Sequence, residues 1–164
     1  MTPLKLTILS AALGLASLSY ARQPPNHHDA VNQRGDQVMG FSEEKTTHHF
    51  RLYADGGSIE VTANDGKDTE SRDLIRTHLA RIAGMFAAGN FEAPMLIHGP
   101  TPPGVPTLQR LKAEITYRYE KLGRGGRVTI STKNAEAVEA IHDFLRFQIF
   151  DHMTGDSPAI GPKK

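Results

Sequence analysis

Eight histidines and no cysteine define the chemistry open to this 164-residue chain. Imidazole binds copper, zinc, nickel and iron, and histidine with methionine suits copper in particular. Thiolate nucleophiles and cysteine-ligated metals are excluded, and an exported chain would have to be stable without disulfides. Five histidines form the candidate metal set: His48, His78, His98 and His142 as ligands, with His49 as a supporting or alternate ligand.

The placement of these residues follows from local patterning. Residues 45–54 alternate, so His48, Phe50, Leu52 and Ala54 share the apolar side while His49 and Arg51 face the other way. His78 falls in the stripe Leu74, Ile75, Leu79, Ile82, Phe86, and His142 falls in the stripe Val138, Ile141, Leu145, Ile149. Both stripes have the three-and-four spacing of a helix laid on a core. His48, His78 and His142 are therefore expected to converge between sheet and helices. His98 arrives from a connector, and Met85 or Met95 is available as a soft ligand. The competing account is plain packing, with each ring satisfied by a backbone carbonyl. Neither helix carries His-x-x-x-His, and no His-Glu-x-x-His occurs. His142 and His152 are ten residues apart, or roughly 15 Å along one helix, too far to share an ion.

Other chemistry has less support. Arg51, Arg118 and Arg127 read as a solvated sheet surface rather than an anion site. Gly123-Arg124-Gly125-Gly126 turns a hairpin and does not join a strand to a helix, so it is no phosphate loop. Ser58, Ser71 and Ser131 lack a nucleophile-elbow context. The chain reads as a metal-binding protein, for copper ahead of zinc, acting in storage, delivery or tolerance, with an enzymatic role the weaker alternative. A second reading is an assembly module that forms a homodimer through Phe144, Phe147 and Phe150, which make the second helix apolar almost all round. A third is a small-ligand-binding protein with a pocket between sheet and helices.

The elements that carry these residues repeat. Gly56-Gly57 leads into the strand Ile59, Val61 and then a helix beginning near Thr69; Gly125-Gly126 leads into Val128, Ile130 and a helix capped by Asn134. His78 and His142 are expected at similar places on their helices. The fold class is α+β: a duplicated β-hairpin–helix, ββα-ββα, forming one antiparallel sheet with both helices on one face. Between the halves, Pro94–His98 reads as a short strand or extended link, Gly99–Pro106 as a stiff loop and Leu108–Leu111 as a helical turn.

Residues 1–21 read as a cleavable signal peptide, with Lys5 before an apolar run and Ser19 and Ala21 at the cleavage positions. The run is short for a span, so no stable membrane insertion is expected after cleavage. Residues 22–44 read as a flexible or docked arm, 45–153 as a single domain and 154–164 as a loose tail. Removing 1–21 leaves 18 Lys and Arg against 18 Asp and Glu. That balance argues against nucleic acid, which needs a basic surface.

Val31-Asn32-Gln33-Arg34-Gly35-Asp36-Gln37-Val38-Met39-Gly40-Phe41-Ser42 followed by Thr46-Thr47-His48-His49-Phe50 resembles a family of small exported bacterial proteins. Pro102-Pro103-Gly104-Val105-Pro106 and Phe144-Leu145-Arg146-Phe147-Gln148 extend the likeness over most of the chain. The resemblance implies export to the periplasm or beyond, a single domain, and no established activity. Some members carry a carbamoyltransferase label, but this chain is too short for two α/β domains and has no Ser-Thr-Arg-Thr-Arg phosphate loop. It also implies that Met39–Phe50 works as a unit, docking the arm near His48 and His49.

Overall fold

The computed structural model describes residues 26–163; the leader read at 1–21 lies outside them. Two hairpins, β1 (Thr46–Tyr53) with β2 (Gly56–Ala63) and β3 (Ile115–Leu122) with β4 (Gly125–Thr132), form one antiparallel sheet. Its order is β1-β2-β4-β3. The duplicated ββα plan is present, and its symmetry is strict in the sheet. Stepping from Thr46 to Ile115 and from Gly56 to Gly125 is the same shift of 69 residues. Under that shift the central pair Gly57–Ile130 becomes Gly126–Val61, which is also a pair.

The long helices α2 (Thr69–Ala87) and α5 (Ala135–Asp151) start where the sequence places them. Asp68 accepts from the Ser71 amide and Asn134 from the Ala137 amide, each satisfying an orphan donor of the first turn. Each helix crosses to the other hairpin: α2 lies chiefly on β3 and β4, α5 chiefly on β1 and β2. The paired glycines permit this crossing. Gly57 lies beneath Leu145 of α5, and its counterpart Gly126 lies beneath Leu79 of α2.

The helices do not keep the sheet's shift. His78 is the tenth residue of α2 and His142 the eighth of α5, so the two rings are not equivalent.

Several connecting segments differ from expectation. Residues 27–39 form a helix, α1 (His27–Met39), which packs on α3 (Glu92–His98). The 92–98 segment is thus helical and not extended, because Pro94 falls in its first turn, where proline is tolerated. α4 (Val105–Arg110) follows the proline loop and packs on α5. Phe144 is 1% exposed and belongs to the core, its ring against Phe86 and Phe91. Phe147 meets the His98 ring, and Phe150 is 68% exposed. The tail is not loose throughout: Asp156 accepts from the Phe50 amide at 2.9 Å, and Ile160 bridges Leu52.

Candidate functional site

Four buried histidines line one cavity of about 50 Å³ beside β1: His48, His78, His98 and His152. Each comes from a different place in the chain. His48 takes the inward side of β1, His78 the core stripe of α2, His98 the last position of α3, and His152 the C-cap of α5. The rest of the lining is largely apolar, including Phe50, Ile97 and Met39. The methionine that reaches the cavity is thus Met39, and neither Met85 nor Met95 lines it.

Three of the four rings form a compact group. His48 and His152 stack with centroids 5.5 Å apart and planes 9° apart, and His98 stands edge-on to His152 at 5.0 Å. Glu43 lies at the end of this stack, in the single helical turn that leads into β1. Its Oε1 is 3.2 Å from His152 Nδ1 and its Oε2 is 3.9 Å from His48 Nδ1. Neither approach has hydrogen-bond geometry. Glu43 Oε1, His152 Nδ1 and His48 Nε2 are buried atoms without a hydrogen-bond partner.

Both nitrogens of His98 and one of His78 are occupied. His98 Nδ1 meets Asp151 Oδ2 at 2.5 Å, and His98 Nε2 meets the Gln148 side-chain amide at 3.1 Å. Asp151 also takes His27 Nε2 at 2.7 Å. Arg81 donates to His78 Nδ1 at 3.3 Å, which uses that lone pair and places a cation beside the ring.

Protonation follows from burial. Burial pushes His48 down to about 4 despite the Glu43 carboxylate, and burial with Arg81 pushes His78 down to about 3. Burial, helped by His152, also lowers His98. All three rings are neutral at pH 7. Burial alone would raise Glu43, but the neighbouring His152 and His48 rings outweigh it and hold the carboxyl below its usual range.

The expected ligand set therefore divides. His48, His78 and His98 reach one cavity. His142 does not: its Nε2 donates to the Tyr53 and Gly56 carbonyls, at 2.8 and 3.1 Å, as a packed helix histidine does. His49 points to the opposite side of β1 and bonds Asp156 at 2.9 Å, the consequence of strand alternation. His152 and Glu43 are the members that patterning missed. Gln148, Asp151 and His152 do share the end of one helix face, at the three-and-four spacing. Arg51, Glu60, Arg127, Glu120 and Arg118 pair in sequence across the outer sheet face, so those arginines are neutralised in place.

Among the described residues, no three His, Cys, Asp or Glu side chains surround a single point as a ready-made metal site. What fold and site define is an α+β protein with a buried imidazole–carboxylate cluster at one sheet edge. No protein-family model, curated protein or solved structure matches the chain.

Proposed function

We propose that this is an exported protein that binds a transition-metal ion, copper or zinc, through its buried histidine cluster, for storage, delivery or tolerance. The observation that carries this is the group of His48, His98 and His152, with centroids 5.0 and 5.5 Å apart at one cavity. Neutral imidazoles are the form that coordinates a metal, and burial keeps His48 and His98 in that form at pH 7. Partnerless nitrogens on His48 and His152 support the same reading, because buried polar atoms ordinarily have partners. Loading would need side-chain rotations to bring these nitrogens onto one centre. Asp151 has the place of an orienting carboxylate, fixing the His98 tautomer from behind.

Calorimetric titration with Cu(II) and Zn(II) tests the reading. One equivalent should bind at micromolar or lower concentration. His48→Ala should weaken binding by about 100-fold or more, since loss of even an outer-shell partner costs about 10- to 100-fold, whereas His142→Gln should leave it unchanged. Binding of both metals only at millimolar concentration would end this reading.

A further inference from the structure

The cluster has a second, polar side. Next to the apolar cavity lies an open pocket of about 240 Å³ that shares His48 and His152 with it and adds Glu43, His28, Asn32 and Glu44. No Lys or Arg lines this pocket among the described residues. Glu43 is the focus. Its side chain is only 11% exposed, and the groups within ion-pair distance are the rings of His48 and His152. Buried carboxylates are normally paired with a cation, because an uncompensated buried charge costs several kcal/mol.

Several partnerless atoms belong to residues that line this pocket. His28 Nδ1, Asn32 Oδ1, Glu43 Oε1, His48 Nε2 and His152 Nδ1 are all buried and all without a hydrogen bond. His48 and His152 are 8% and 9% exposed, so their nitrogens have little recourse to solvent. His28 Nε2 stands 3.4 Å from the Asn32 amide. The Asn32 amide nitrogen donates to it, so in the neutral ring the proton sits on Nδ1, and Nδ1 can hold a cation only after that amide turns over. One centre could satisfy a carboxylate oxygen and several imidazole nitrogens together.

We propose that Glu43 is the anionic ligand of a mixed carboxylate–imidazole centre, with His48, His152 and His28, built for a divalent cation of the zinc type rather than for Cu(I). This rests on the metal-binding reading and narrows it. Carboxylate oxygen with imidazole nitrogen is a donor set for Zn²⁺, whereas Cu(I) favours soft sulfur ligands. His78 takes no part, since Arg81 holds its Nδ1. His98 could join only if Gln148 released its Nε2, since Asp151 and Gln148 engage both its nitrogens.

The test compares Zn²⁺ and Cu(I), added separately to the full protein and to Glu43→Gln. Zn²⁺ affinity should fall about 100-fold in the variant while Cu(I) affinity moves less than about threefold. His28→Ala should reduce Zn²⁺ affinity about tenfold. Unchanged Zn²⁺ binding in Glu43→Gln overturns this inference and leaves the broader metal reading standing. Binding of Cu(I) but not Zn²⁺ by the unaltered protein does the same. Binding of neither metal by the unaltered protein sinks both. If Glu43→Gln fails to fold, unaltered protein labelled with ¹³C at its glutamate carboxyls decides: one resonance should move on adding one equivalent of Zn²⁺, and none moving overturns the proposal.

Discussion

A neutral imidazole sealed inside a fold resists protonation, and the cost appears in acid. In the unfolded chain His48 and His78 take up protons near the ordinary value of 6.5, whereas folded they do so only near about 4 and about 3. Between those limits the unfolded state binds more protons, so stability is complete above about 6.5 and declines as pH falls. Each ring removes about 1.4 kcal/mol per pH unit over that range, or roughly 4 kcal/mol for the pair at pH 5. Urea unfolding at pH 7 and pH 5, with chelator present, measures the difference; equal midpoints would show that the rings are not sealed. At this scale the sequence was a partial guide. Alternation along β1 and the stripe of α2 bring His48 and His78 inward. The stripe of α5 brings His142 inward too, but two backbone carbonyls claim its ring. Glu43 and His152 lie at element ends, 109 positions apart in the chain. Periodicity carries no information about which ends meet.

At the scale of elements, the sheet was legible because hairpin glycines and alternation act locally, while the crossing of the helices was not. Gly56-Gly57 and Gly125-Gly126 read as turn chemistry, yet all four are the first residues of strands β2 and β4, in the central pair of the sheet. At Gly57 and Gly126 the lack of a side chain lets a helix settle on the sheet, while Gly56 and Gly125 lie against the backbone of the neighbouring strand. A Cβ at Gly57 would lie 2.2 Å from Leu145 Cδ1 and 2.4 Å from the Arg51 carbonyl oxygen, which cannot turn aside. At Gly126 the contacts are looser, 2.9 Å to the Tyr119 ring and 3.2 Å to Leu79. Gly126→Ala should therefore cost about 1–3 kcal/mol, the range for overpacking, and Gly57→Ala more than that. Thermal unfolding of the two variants compares them, and an equal loss would mean that the two halves carry their helices alike. α3 escaped detection for a different reason. Three apolar residues between Pro94 and His98 are too few to separate a helical from an extended period.

For the whole molecule the question is how firmly the apolar side of the cluster is covered, since its polar side faces an open pocket. α1 covers the apolar side: Met39 lines the cavity, and Phe41 just beyond the helix packs on His48 and His78, with ring centroids at 6.0 and 5.6 Å. The helix is held by few polar contacts. Arg34 Nε donates to the Ile97 carbonyl at 2.6 Å, Arg81 donates to the Val38 carbonyl at 3.1 Å, and His27 meets Asp151. A bond from a charged donor contributes roughly 1.5–3 kcal/mol, so Arg34→Ala should raise the open population of α1 roughly 10- to 100-fold. Hydrogen exchange should then quicken at the amides of α1 while those of β2 and β4 keep their protection. Metal uptake and release should both accelerate by a similar factor, leaving affinity nearly unchanged, because Arg34 touches the helix anchor and not the cluster. Exchange of α1 that rises only together with the sheet would show that α1 unfolds with the core and gates nothing.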